Sequence, residues 1–399
     1  MKPHHLLAVT VLLAACARDV TTPGNASGPN PATAVALGTQ FSCALTKAGK
    51  AYCWGDDLSG ELGDSSFTSK LVPAATAGGH TFVAIAAGVE TACALTQSGA
   101  PWCWGSDPTQ AGAKLYSNSP KAVPGAPGLA SITVGNKFAC GLDRDGVAYC
   151  WGENEHGQLG VGDSLAHPSA TRVSGSHRFV SISAGFWHAC ALATDGVPYC
   201  WGDNSFAQLG TTDTHSAPVP TAVPGVNFTS MVSGSIHVCG LTSAGAAMCW
   251  GSNDAAQLGD GTITQRRTAV AVLGGLTFKS LHTGRANSIF ATTCGITPSD
   301  DVYCWGWNSQ GQLGAQTSDT CKPYTVGGVV VTNVCSMRPV KANGVANVVG
   351  LAVGNEHVCA LTASHQLLCW GENAHGELGD GTGVAQTTPV EVHGGLSLP

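Results

Sequence analysis

The stretch Cys140-Gly-Leu-Asp-Arg-Asp-Gly-Val-Ala-Tyr-Cys150-Trp-Gly, residues 140–152, decides the fold because the chain repeats its pattern seven times. Cysteine pairs with nine residues between them recur along the chain. They are Cys43 with Cys53, Cys93 with Cys103, Cys140 with Cys150, Cys190 with Cys200, Cys239 with Cys249, Cys294 with Cys304 and Cys359 with Cys369. Each second cysteine is followed by Trp-Gly, giving Trp54, Trp104, Trp151, Trp201, Trp250, Trp305 and Trp370. Successive first cysteines are 50, 47, 50, 49, 55 and 65 residues apart. A period of this length marks stacked supersecondary units, and units made of strands stack into a propeller.

Each unit reads as a β-hairpin. In the first copy, two short runs suited to strands flank Lys47-Ala48-Gly49, a three-residue turn whose last position favours the left-handed region. That position holds Gly49, Gly99, Gly146, Gly196 and Gly245, then Asp300 and His365, two types enriched there among non-glycine residues. The turn sets Cys43 opposite Cys53 and Leu45 opposite Ala51, with Tyr52 and Trp54 on the other face. Upstream of every hairpin lies another strand candidate, ending in Gly38, Gly88, Gly135, Gly185, Gly234, Gly284 or Gly354. Outer-strand candidates follow each hairpin, such as Pro218–Val223 and Thr388–Val392. Four strands per repeat and seven repeats predict an all-β fold, a seven-bladed β-propeller of four-stranded antiparallel blades. Whether the last strand completes blade one or blade seven is open at this level.

Of the 399 residues, 43% are hydrophobic and only 11% are charged, with a net charge of −7. That balance supplies a large core and no clustered Lys/Arg, so nucleic acid is excluded as a partner. The seventeen cysteines resolve into the seven hairpin pairs, Cys321 with Cys335 in an insertion, and Cys16. Nine intervening residues are too many for paired zinc ligands, whereas disulfides suit a hairpin and place the chain in an oxidising compartment.

Residues 1–15 read as a lipoprotein-type signal peptide, with Lys2 ahead of the apolar run Leu6–Ala15. Leu13-Ala14-Ala15-Cys16 resembles the bacterial lipobox, which makes Cys16 the lipidation site. Residues 16–34 form a flexible tether rich in Pro, Gly, Ser and Thr, and the propeller occupies 35–399. The expected address is a bacterial cell envelope, as an outer-membrane lipoprotein facing the periplasm or the cell surface. Membrane contact is expected through the lipid alone. Repeat two lacks the Leu-Gly found eight residues after the tryptophan elsewhere, at Leu62, Leu159, Leu209, Leu258, Leu313 and Leu378. Repeat six carries the extended segment Ala315–Arg338, closed by Cys321 and Cys335.

The pattern Gly185-Phe-Trp-His188-Ala-Cys190-Ala-Leu, then Tyr199-Cys200-Trp-Gly202, with Asn154-Glu-His-Gly157-Gln-Leu-Gly160 in the third copy, resembles the regulator of chromosome condensation repeat. The resemblance covers residues 35 to about 393 and implies a seven-bladed propeller. Copies with both hairpin cysteines are similar to bacterial envelope versions. The nuclear member of that family is an exchange factor for a small GTPase, a role the export segment argues against here. Other resembling bacterial propellers inhibit β-lactamases through loops on one face, but no inhibitory motif is matched.

No Gly-x-Ser-x-Gly, phosphate loop or His-Glu-x-x-His occurs, so no catalytic residue, metal site or cofactor is assigned. His188, His237 and His357 are spread one per blade, as structural turn residues would be. Phe186, Trp187, Arg285 and Trp307 fall in connections just after strands and are the expected binding residues of one loop face. The favoured function is a non-enzymatic, envelope-anchored monomer that binds a protein partner through those loops. The alternatives are a carbohydrate-binding propeller and a hydrolase or lyase with its site in the central funnel.

Overall fold

The computed structural model describes residues 31–108, 116–285, 290–326 and 329–393. The signal peptide, Cys16 and most of the tether lie outside the described residues. Seven antiparallel sheets follow one another along the chain, six with four strands and one with five. Blade one consists of Ala32–Leu37, Phe41–Thr46, Ala51–Gly55 and Lys70–Ala75, in that spatial order. Its inner strand starts at Ala32, ahead of the expected Val35. Ala32 is buried and pairs with Thr46 across a bulge, so apolar burial draws the end of the tether into the blade. The first strands of successive blades pack side by side, and that of blade one packs on blade seven. The strand Gln386–Glu391 pairs with Leu367–Gly371 and completes blade seven. Among the described residues the ring is therefore closed by packing, with no strand shared between its ends.

Every hairpin has the expected register, with Cys43 opposite Cys53 and Leu45 opposite Ala51 in the first copy. Thr46 N donates to Lys50 O at 2.9 Å and Gly49 N to Thr46 O at 2.8 Å, which closes the three-residue turn. Gly49 sits at φ 76°, and Asp300 and His365 at φ 64°.

All the expected hairpin pairs are disulfides. Cys43–Cys53, Cys93–Cys103, Cys140–Cys150 and Cys190–Cys200 each have Cα atoms 4.1 Å apart. Cys239–Cys249 and Cys359–Cys369 also stand at 4.1 Å, and Cys294–Cys304 at 4.0 Å. That separation fits the close, non-hydrogen-bonded type of cross-strand pair.

The two faces of each hairpin build the spaces between blades. The Cys140–Cys150 disulfide of blade three lies in one core with Trp201 and Tyr199 of blade four. The Cys359–Cys369 disulfide of blade seven shares a core with Trp54 and Tyr52 of blade one, and this core closes the ring. The tryptophans are fully buried. Trp201 Nε1 donates to Gln158 O of the preceding blade at 3.0 Å, and Trp54 Nε1 to Glu377 O at 2.8 Å. Trp104, Trp250, Trp305 and Trp370 make the same bond. Trp151 is the exception, its Nε1 buried with no partner among the described residues. The blade before it is the repeat that lacks Leu-Gly.

Blade six gains its fifth strand from the insertion. Val329–Lys341 takes the fourth position and Asp319–Val326 the edge beyond it. Cys321 and Cys335 are bonded and pack on Ala256 of blade five. Lys322 Nζ reaches Asp254 at 3.1 Å, so the added hairpin leans on the neighbouring blade.

Candidate functional site

Antiparallel order puts the connection between first and second strands at the same end of a blade as that between third and fourth. The two are tied together, for example by Asp203 N donating to Trp187 O and Glu372 N to Glu356 O, both at 2.8 Å. This end is the loop face. Neighbouring first connections are also joined, Asn136 N to Phe186 O at 3.2 Å and Phe186 N to Ser235 O at 3.0 Å. Glycine permits that closeness, since a Cβ on Gly88 would stand 2.2 Å from Gly135 O.

The second connection in six blades is built on one plan. In blade four, Asn204 Oδ1 accepts Leu209 N–H at 3.0 Å, and its Nδ2 donates to Thr211 Oγ1 and to Asp213 O, each at 3.0 Å. Gln208 Oε1 accepts Phe206 N–H at 2.8 Å, and its Nε2 donates to Asp203 Oδ2 at 2.7 Å. These bonds fix the carbonyl that receives the next tryptophan. Leu62, Leu159, Leu209, Leu258, Leu313 and Leu378 are fully buried beneath the loops, as core residues at this spacing should be.

Glutamate replaces that glutamine in two blades, at Glu61 and Glu377. Each keeps the backbone bond, Glu61 Oε2 to Ser59 N at 2.8 Å and Glu377 Oε2 to His375 N at 2.9 Å. Burial pushes the Glu61 carboxyl up to about 8, with Asp56 and Glu90 adding to the rise. Burial likewise raises Glu377 to about 7, with Glu372 contributing. Comparison with Gln158, Gln208, Gln257 and Gln312 in the repeat alignment is the signal that could have singled out both glutamates.

The four expected binding residues occupy different settings. Arg285 reaches across the axis of the ring. Its Nε donates to Ala184 O at 2.8 Å, its Nη1 to Ala87 O at 2.9 Å and its Nη2 to Thr133 Oγ1 at 3.2 Å. One side chain thus joins blade six to blades two, three and four at the mouth of the channel, and burial lowers its pKa to about 10. Trp307 is buried and stacks on Phe290 with ring centres 4.1 Å apart. Phe186 is buried and packs edge-on against Trp187 at 4.5 Å. Trp187 is half-buried and stacks on His156 at 4.5 Å, which leaves it the one aromatic of the three with surface to offer. Spacing alone assigns all four to connections, but only packing separates an interior aromatic from an exposed one.

His188, His237 and His357 are buried beneath the same loops, where burial drives His188 down to about 4 and the other two to about 3. His237 Nε2 meets Thr293 Oγ1 at 2.9 Å and His357 Nε2 meets Ser42 Oγ at 3.0 Å, each on the following blade. His237 and His357 are thus neutral struts between blades, whereas the His188 ring is buried with neither nitrogen bonded among the described residues. Among the described residues, no three His, Cys, Asp or Glu side chains gather closely enough to hold a metal ion.

Known proteins share this architecture. Residues 17–342 match the model of the RCC1-like domain, and residues 348–377 match the regulator of chromosome condensation (RCC1) repeat. The Arabidopsis thaliana ultraviolet-B receptor UVR8 is 26% identical over 126 residues, 31% of this chain and 24% of that protein, so the match spans about a quarter of the relative. The crystal structure of human WBSCR16 aligns with TM-score 0.72 and 19% identity, over 87% of this chain and 94% of its own. Saccharomyces cerevisiae Prp20p, described with its binding properties to Gsp1p and histones, aligns with TM-score 0.72 and 17% identity over 91% and 87%. With all seven blades built on the matching repeat, the chain belongs to the RCC1-like domain family.

Proposed function

We propose that this chain is an exported, non-catalytic propeller that binds a protein partner through its loop face. The observation carrying this reading is the contrast between a frame of near-identical, disulfide-closed hairpins and one end where the outward side chains of the connections differ from blade to blade. Side chains at that end range from Trp187 and Phe206 to Glu155 and Gln310. The binding properties of Prp20p toward Gsp1p and histones support the use of such propellers as protein-binding platforms. Eight disulfides point to an oxidising, extracellular or exported setting. Attachment through a lipid on Cys16 is part of the same reading, and loss of labelled palmitate from a Cys16→Ser variant is the expected check. A funnel active site at this end would have to accommodate the Arg285 guanidinium, which is bonded to Ala184 O and Ala87 O.

A photo-cross-linking residue placed at Trp187, and separately at Lys47 on the opposite end, tests the choice of face in the native envelope. Adducts to one protein from position 187 and none from position 47 are expected. Adducts from position 47 alone would sink the assignment. A glycan platform is the second reading, resting on the half-exposed Trp187 ring, and a glycan array probed with the mature chain decides it.

A further inference from the structure

Blades seven and one depart from the loop plan in one direction. Where blade four has Asp203 accepting from the Gln208 amide at 2.7 Å, blade one has Asp56 with Glu61 and blade seven has Glu372 with Glu377. An amide donor facing a carboxylate has become a carboxyl group facing a carboxylate, twice, on either side of the ring closure. Each glutamate is at least nine-tenths buried, and Glu377 Oε1 has no hydrogen-bond partner among the described residues. Such an oxygen ordinarily finds a donor, and here the described chain supplies none.

The acidic groups run on without a break. Glu356 feels Glu372, Glu372 feels Glu377, Asp56 feels Glu61, and Glu61 feels Glu90. His375 bridges the seam, 3.0 Å from the Gln40 amide and 3.6 Å from Asp56. Two lysines of this end are paired with other carboxylates, Lys70 with Asp64 at 3.5 Å and Lys137 with Glu153 at 3.6 Å. Leu58, 73% exposed, rises from the loop between Asp56 and Glu61 and adds an apolar contact. The opposite end mixes both signs, with Lys47, Lys50, Arg144 and Arg178 beside Asp143, Asp145, Asp195, Asp300 and Asp301, so the excess of carboxylates that would draw a cationic partner lies at the loop face. The carboxyl groups are strung along an arc and not gathered round a point, which fits a row of cationic side chains better than one ion.

We infer that this arc across blades seven, one and two docks a Lys/Arg-rich segment of the partner protein, with Leu58 seated against an apolar residue of that segment. The inference rests on the reading that the loop face binds protein and names the chemistry of what it binds.

The test uses the mature, oxidised chain and a fluorescein-labelled peptide of alternating Arg and Ser, with an alternating Glu and Ser peptide as control. Saturable anisotropy with the Arg peptide alone is expected, weakening as salt rises from about 50 mM to about 300 mM. Neutralising the arc with Glu90→Gln, Glu356→Gln and Glu372→Gln should weaken binding by about tenfold. Removing the same charge outside the arc, with Glu153→Gln, Glu155→Gln and Asp213→Asn, should change it by less than about twofold. If the arc variant fails to fold, Glu90→Gln alone, at a half-exposed site, should weaken binding by about threefold. Equal weakening by both triple variants, or no saturable binding at low salt, overturns the inference. Cross-links from position 187 that persist in the arc variant would overturn it while leaving the protein-binding reading intact.

Discussion

Trp201 and Trp151 hold the same place in adjacent blades, both fully buried, yet only Trp201 has an acceptor for its indole N–H among the described residues. Replacing either by Phe removes similar apolar area. Trp201→Phe also strips Gln158 O of its donor and leaves a buried carbonyl unsatisfied, whereas Trp151→Phe deletes an N–H that has no such partner among the described residues. An unsatisfied buried group costs about 1–3 kcal/mol, so Trp201→Phe should destabilise more than Trp151→Phe by about that margin in urea titrations. Equal losses would mean that the indole bond carries no weight in holding blade to blade. Arg285 invites a similar comparison. Arg285→Met keeps the length of the side chain but abandons two carbonyls and Thr133, so a loss of about 3 kcal/mol is expected. Lysine should recover only part of it, since one ammonium cannot repeat the planar fork.

At the scale of the hairpin, two kinds of disulfide can be separated. Chain entropy alone would give the Cys321–Cys335 bridge, with its longer loop, at least the value of the Cys140–Cys150 bridge, about 3 kcal/mol each. Surroundings decide otherwise. Both bridges are buried, but Cys140 and Cys150 lie in the core that joins blades three and four, whereas Cys321 and Cys335 form a small separate cluster with Ala256 beside the added hairpin. An edge hairpin can open without unfolding the rest. Cys140→Ala with Cys150→Ala should therefore lower global stability by about 3–5 kcal/mol, and Cys321→Ser with Cys335→Ser by less than about 1 kcal/mol. The reverse order, read from denaturant midpoints, would contradict the packing argument. Hairpin register and turn were legible in the sequence because two cysteines nine residues apart around a glycine admit little else. The interior place of Trp307 and the reach of Arg285 were not, because both depend on blades far away along the chain. The pairing of Gln386–Glu391 within blade seven was equally hidden, since either end of a ring offers a free edge.

For the ring as a whole, groups buried in their uncharged states set opposite limits on pH. His188 and His282 stay neutral down to about 4 and His237 and His357 down to about 3, whereas in the unfolded chain they protonate near 6.5. Their contribution is complete above 6.5 and is lost as pH falls toward those values. Glu61 and Glu377 hold their protons up to about 8 and 7, while the unfolded chain releases them near 4.5. Their contribution is complete below 4.5 and is lost as pH rises through 7 and 8. Each group changes stability by about 1.4 kcal/mol per pH unit inside its window. Between 4.5 and 6.5 four histidines outweigh two glutamates, so stability rises with pH. Above 6.5 the glutamates act alone and it falls, by about 2–3 kcal/mol between 6.5 and 8. The maximum is expected near pH 6.5. In the variant with Glu61→Gln and Glu377→Gln, both positions regain the residue found in four other blades. That variant should show no decline above 6.5, keep the decline below it, and exceed the parent at pH 8. Urea midpoints at pH 5, 6.5 and 8 measure all three, and a parent chain that is most stable at pH 8 would place the proton balance of the ring somewhere other than these two carboxyl groups.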